Sequence, residues 1–234
     1  MSRLFFMLIL TLVSFSAVSQ GAINQFDASG KRHGIWKKYF DKTKQLRYVG
    51  KFDHGKEVDT FNFYTLKNKK SVLSAVKVFN PNNDIALVKF LSSRGKLISE
   101  GAMKGKLYTG KWTYYHNKFD AVLSTETFND QGNLHGEKIV YYPNGQIAEH
   151  SHYKDGKLEG DSKWYSERGI LIKDFLYEND ELHGNAKYYN SDGVILAEGE
   201  YQRGRKHKIW KYYEDGKLKE TKDHTRRSKN PKKQ

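Results

Sequence analysis

The chain has 234 residues, with 41 Lys and Arg against 27 Asp and Glu, a formal net charge of +14 and no cysteine. The lack of thiols excludes disulfides, thiolate metal sites, a cysteine nucleophile and a lipid-modified cysteine, so stability rests on hydrogen bonds and packing. The cation excess favours an anionic partner: a phospholipid or lipopolysaccharide surface, nucleic acid, or an acidic protein.

Arg3 is followed by the apolar run LFFMLILTLVSFSA and then by Ala17, Val18 and Ser19. A cation, a short apolar run and small residues at small-x-small spacing form a secretory signal peptide, here residues 1–19, cleaved before Gln20. The run is shorter than the roughly 20 apolar residues of a spanning helix, so no membrane anchor is expected after cleavage. The mature chain is expected in the periplasm or outside the cell, carrying +13 once Arg3 is lost.

Residues 20–221 read as one repeat domain. Gly136, Gly160, Gly184 and Lys208 recur at steps of 24, and the frame continues upstream through Gly34, Asp59, Asp84 and Gly110 at steps of 25 or 26. Residues 66–91 keep only the turn spacing. An aromatic precedes a turn residue by three: Phe52 before Gly55, Tyr153 before Gly156, Tyr177 before Asp180, Tyr201 before Gly204. Such turns need positive φ, which Gly tolerates best and Asn or Asp next, so Asp180 preserves the turn chemistry. A second turn falls mid-unit, at Asn144–Gly145, Arg168–Gly169, Asp192–Gly193 and Asp215–Gly216, leaving two short strands per unit.

The strands are β, because TFNFY and IWKYY alternate, putting Phe61 with Phe63 and Trp210 with Tyr212 on one face. Pro81 and Pro143 fall at turns, where proline costs no ladder bond. The expected fold is all-β: an elongated antiparallel β-meander of about eight hairpin units, on the order of 75 Å long at ~4.8 Å per strand.

The pattern of Gly, one residue, Trp, then Tyr-Tyr, an Asp-Gly or Asn-Gly turn and a GKLHG-like closure is best kept from about Gly132 to Glu220. It resembles the MORN repeat variant of bacterial proteins similar to YwqK-type antitoxins. The resemblance implies a hairpin array that binds rather than catalyses. Lys208 in place of the closing Gly, and Val58–Asp59 in place of His-Gly, depart from it.

For catalysis, no GxSxG, P-loop, HExxH or dinucleotide fingerprint occurs, and the serine-x-x-lysine at Ser93–Lys96 is a chance pattern in a lysine-rich chain. His150 and His152, two apart, would share a strand face as a metal pair does, but no third ligand is evident. His33, His135 and His183 each precede a repeat glycine, which the motif itself explains. No enzyme activity, cofactor or metal is expected.

Trp36, Trp112, Trp164 and Trp210, with Tyr153, Tyr177 and Tyr201, admit two readings. They stack on counterparts one repeat away as the sheet's core, or form an exposed ladder with interleaved Lys that grips a protein segment, glycan or lipid surface. The leading expectation is a non-catalytic exported scaffold that binds a protein or the envelope surface. The alternatives are an antitoxin or immunity protein that occludes a toxin, and an anionic-lipid binder. Nucleic acid is not an expected partner, since export and the lack of a nucleic-acid-binding fold argue against it. The last segment, residues 222–234 (KDHTRRSKNPKKQ), sets six cations against one Asp with no apolar residue, and is expected to be a disordered basic tail.

Overall fold

The computed structural model describes residues 22–225; the expected signal peptide and most of the basic tail lie outside them. The strands are β1 (Gln25–Phe26), β2 (Arg32–Tyr39), β3 (Leu46–Asp53), β4 (Lys56–Lys67), β5 (Lys70–Phe79), β6 (Ile85–Leu91), β7 (Leu97–Lys104), β8 (Leu107–Tyr115) and β9 (Val122–Phe128). They continue as β10 (Leu134–Tyr141), β11 (Ile147–Lys154), β12 (Lys157–Tyr165), β13 (Leu171–Glu178), β14 (Glu181–Tyr189), β15 (Ile195–Gln202), β16 (Arg205–Glu214) and β17 (Lys217–Asp223). Each strand pairs antiparallel with the next in the chain, from β1 with β2 to β16 with β17. The described residues contain no helix, and the all-β meander of hairpins is the observed architecture.

Local backbone chemistry explains the period. Gly34, Gly110, Gly136, Gly160 and Gly184 all have positive φ, and so do Asp59 (φ 64) and Lys208 (φ 54) in the same slot. At these residues the ladder slips: the pairing of β11 with β12 shifts between Ser151 and Tyr153, beside Gly160, and that of β13 with β14 shifts between Phe175 and Tyr177, beside Gly184. These are bulges, which bend the strand and increase its twist. Asp84, in the degenerate third unit, is not among the positive-φ residues, and β5 pairs β6 without a register shift. The frame therefore breaks where the sequence pattern is weakest, while the hairpin survives.

Because successive strands run antiparallel, alternate turns lie along the same edge of the sheet. Along one edge, the backbone N–H groups of Gly55, Gly156, Asp180 and Gly204 donate to the carbonyls of Arg32, Leu134, Leu158 and Leu182. Asp180 does more than keep its φ of 71: its carboxylate also accepts the Leu158 N–H at 2.8 Å. Along the other edge, Tyr142 Oη donates to Tyr165 O, Asn144 Nδ2 to Glu167 O and Arg168 to Ser191 O. Both edges are thus clipped from unit to unit.

The core lies on one face. The position two residues after the repeat residue holds Trp36, Phe61, Ala86, Trp112, Lys138, Ser162, Ala186 and Trp210 along the chain. Large residues in this row lie over glycine: a Cβ on Gly50, Gly101 or Gly199 would fall 2.2–2.6 Å from ring atoms of Phe61, Trp112 or Trp210. Elsewhere the sizes reverse, with Phe175 opposite both Ser162 and Ala186. Two buried clusters result, one of Ala86, Val88, Met103 and Trp112 and one of Phe175, Ala186, Ala197 and Trp210. Between them the row is polar: Lys138 pairs with the buried Ser151, which pairs with the buried Ser162.

Two sequence expectations change here. Trp164 is not a counterpart of Trp112 and Trp210; it lies two positions further along its strand, in the column of Tyr188 and Tyr212, against Phe175 at 5.4 Å and Tyr177 at 6.4 Å. Both columns face the core, so alternation alone does not distinguish them. Residues 222–224, read from composition as the start of the tail, belong to the last hairpin. Lys222 and Asp223 close β17 opposite Trp210 and Ile209, and His224 donates its N–H to Lys208 O and sets its ring 6.5 Å from Trp210.

Candidate functional site

The nominated aromatics all lie on the packed face, buried to different degrees. Trp112 and Trp210 are fully buried, and their indole N–H groups donate to Ala102 O and Glu200 O. Tyr108 stacks on Trp112 at 3.9 Å, and Tyr201 meets Trp210 edge-on at 5.0 Å. These two tryptophans are core and have no face left for a ligand. Trp36 is half-buried: its N–H donates to Gln25 O and the Arg32 guanidinium lies 5.0 Å over its ring. Tyr153, Tyr177 and Tyr201 are half-buried and sit opposite the repeat glycines Gly136, Gly160 and Gly184. Burial raises the pKa of all three hydroxyls, and Tyr201 is held further by its 2.9 Å contact with Tyr188 Oη. They too belong mainly to the packed face.

The opposite face carries paired charge. From β12 to β16 the cross-strand row reads Lys163, Asp174, Lys187, Glu198, Lys211, alternating in sign. Opposite charges directly across a sheet attract, so the row carries little net field, and within it Lys211 and Glu198 close to 3.3 Å. On the same face two tyrosines bond glutamates from equivalent positions, one of them in this row: Tyr115 Oη donates to Glu100 at 2.5 Å and Tyr213 Oη donates to Glu198 at 2.7 Å. These bonds, aided by Lys89 and Lys211, hold both carboxyls below the ordinary glutamate value of 4.5, and the Glu100 contact, with burial, pushes Tyr115 up to about 12. A carboxyl depressed by folding adds stability above its ordinary pKa that is lost as pH falls through its folded pKa. Tyr115→Phe and Tyr213→Phe are therefore expected to lower stability at neutral pH and flatten its loss below about pH 4.5 in urea titrations. Acid limbs identical to wild type would refute that assignment.

The net charge is elsewhere. Residues 22–131 hold 20 Lys and Arg against 10 Asp and Glu, whereas residues 132–221 hold 14 against 16. The sheet is not basic along its whole length. In the N-terminal half the excess gathers on one edge, in the turns β2–β3, β4–β5, β6–β7 and β8–β9, with Lys42, Lys44, Lys67, Lys69, Lys70, Arg94, Lys96 and Lys118 against Asp41 and Asp120. Further along the same edge the balance reverses, with Glu167, Asp192, Glu214 and Asp215 against Arg168 and Lys217.

The basic turns are physically joined. Lys67 Nζ donates to Ser93 Oγ at 2.7 Å, and Lys96 Nζ donates to Phe119 O at 2.8 Å and pairs with Asp120 at 3.0 Å. Between them lies a groove of about 620 Å³ lined by Lys67, Arg94, Lys96, Ile98 and Tyr115, continuing into a more apolar hollow of about 310 Å³ beneath the exposed Phe119. A cationic rim over an apolar floor suits an anionic chain that also carries apolar side chains.

Among the described residues two histidine clusters could hold a metal: His33, Asp53 and His54, and Glu137, His150 and His152. The second completes the histidine pair singled out in the sequence. Glu137 on β10 lies directly across from His152 on β11, a register set by the hairpin around Asn144 and Gly145. The 24-residue frame applied to adjacent strands could have placed Glu137 there, though the serial order of residues does not.

Comparison with known proteins agrees with this reading of the repeats. The sequence model of the MORN repeat variant matches residues 134–155 and 182–203, each a strand, a turn and the next strand. Two segments of the chain, residues 134–155 and 182–203, thus match MORN variant repeats. Repeats of this kind are in general binding units without catalysis, and the two MORN segments include β10–β11 and β14–β15. No curated protein matches the sequence significantly. A chain in the crystal structure of TcdB2-TccC3-Cdc42 is similar over 86% of this chain at 13% identity. This chain spans only 13% of that one, and the TM-score of 0.19 supports no argument about fold or role.

Proposed function

We propose that the protein is a non-catalytic, exported scaffold that holds an acidic segment of a protein partner against the basic turn edge of its N-terminal half. The observation that carries this reading is the run of eight cations against two anions on four joined turns, flanking a groove with an apolar floor. Extended repeat sheets offer contact area, and clustered charge gives steering and register. The resemblance of the first residues to a signal peptide supports action outside the cytoplasm.

The test is capture from an envelope fraction by the mature protein and by the variant Lys67→Glu/Lys69→Glu/Arg94→Glu/Lys118→Glu. The wild type is expected to retain a discrete protein that the variant loses, with retention falling steeply as salt rises because exposed charge is screened within ~8 Å at physiological ionic strength. Charge reversal of Arg168 and Lys217 on the same edge should leave capture unchanged. Equal capture by the wild type and the fourfold variant would refute the proposal. Salt-sensitive binding of the wild type to phosphatidylglycerol vesicles, without protein capture, would replace the protein partner with a lipid surface.

A further inference from the structure

We propose that Glu137, His150 and His152 form a binding site for a zinc-class divalent transition metal on the open face of the sheet. Imidazole and carboxylate donors in a two-histidine, one-carboxylate set suit Zn²⁺ and its neighbours Co²⁺ and Ni²⁺. Glu137 Oε1 lies 3.1 Å from His150 Nε2 and 3.9 Å from His152 Nε2, and the three donor atoms lie within 4.8 Å of one another. Metal–ligand bonds of about 2.0–2.1 Å in a tetrahedron place donors roughly 3.3 Å apart, so the cluster needs only small side-chain adjustments.

The orientation is set by a second contact. His152 Nδ1 lies 3.2 Å from Asp161 O on the neighbouring strand, and a carbonyl only accepts, so this contact selects the tautomer with the proton on Nδ1 and leaves Nε2 free to ligate, while at His150 the metal would displace the Nε2 proton that Glu137 accepts. A backbone carbonyl that fixes the tautomer of a ligand is the usual outer support of a metal-bound histidine. All three residues stand on paired strands rather than on a turn, which holds donor positions within narrow limits.

The repeat does not account for the cluster. One unit on, the three slots hold Asp161, Asp174 and Leu176, and a further unit on they hold Asn185, Glu198 and Glu200. The cluster at His33, Asp53 and His54 differs on this point. His33 Nδ1 already accepts the His54 N–H at 3.5 Å, as His135 Nδ1 accepts the Asp155 N–H at 3.4 Å, so the repeat explains that contact and the inward nitrogen is engaged. In the proposed site the fourth coordination position faces outward, where water or a donor from a partner completes it.

The test is titration of untagged mature protein with Co²⁺, read by the visible ligand-field bands that tetrahedral sites make intense, with Zn²⁺ as competitor. One equivalent is expected to develop these bands and to be displaced by Zn²⁺. His150→Gln/His152→Gln should abolish them, and Glu137→Gln should weaken binding by at least about tenfold, since loss of even an outer support costs roughly 10–100-fold. His33→Gln/His54→Gln should leave them intact. Far-UV circular dichroism verifies that the variants keep the sheet, as expected for exposed or half-buried positions. Wild-type bands surviving in the His150/His152 variant, lost only in the His33/His54 variant, or absent altogether would each overturn the proposal.

Discussion

Gly199→Ala is expected to destabilise the sheet by about 1–3 kcal/mol, the usual cost of forcing extra atoms into a packed core. Gly199 has ordinary negative-side backbone geometry, so the cost is not one of φ; its added Cβ would lie 2.5 Å from the indole of Trp210, which is wholly buried. Trp210→Ala is expected to cost more, about 3–5 kcal/mol, because it removes the largest buried side chain of the C-terminal cluster and exposes Tyr188, Tyr201 and Tyr212. The structure also supplies the remedy. At Phe175 the large residue occupies the opposite strand, between Ser162 and Ala186. The double variant Gly199→Phe/Trp210→Ala recreates that arrangement, with Ala186 on one side and the new alanine on the other. Urea unfolding of the four members of this cycle should give a favourable coupling of more than about 1 kcal/mol. A double variant no more stable than the sum of its single changes would show that the row does not work by size complementarity.

Deleting residues 222–234 is expected to lower the melting temperature by about 5–10 °C, whereas deleting 226–234 should leave it within a degree or so of wild type. The first cut removes the strand end paired with Trp210 and Ile209, the His224 N–H bond to Lys208 O and the ring that covers the edge of Trp210. Each lost hydrogen bond costs roughly 1 kcal/mol, and uncovering the indole adds to it. The second cut removes five cations, Arg226, Arg227, Lys229, Lys232 and Lys233, without touching the described strands. Differential scanning calorimetry on both forms decides the matter. Equal melting temperatures would restore the tail boundary read from composition, and would leave His224 without a structural role.

The two cuts illustrate how composition misplaces a boundary. Lys222 and Asp223 are charged and exposed, so their side chains carry no burial signal, but their backbone completes the ladder of the last hairpin. Strand membership at a sheet edge is decided by backbone pairing, which side-chain hydropathy does not report.

What the sequence by itself determined was the period, the strand class and the turns, because these depend on interactions within a few residues. Positive φ is demanded locally, and Asp59, Asp180 and Lys208 were recognisable as glycine substitutes by position alone. Alternation likewise fixes which residues share a face, as Phe61 and Phe63 do. What only the tertiary structure decided was everything that depends on register between strands. Trp164 could have joined the column of Trp210, since both columns face the same side and a two-residue offset preserves alternation. Glu137 stands beside His152 because a hairpin folds one strand onto the next, bringing together side chains 15 positions apart. The basic groove has the same origin: Lys67, Arg94 and Lys118 are about 25 residues apart in the chain, and antiparallel pairing sets their turns side by side on one edge. Local torsions write the repeat, while cross-strand hydrogen bonding chooses the neighbours, and binding chemistry requires neighbours.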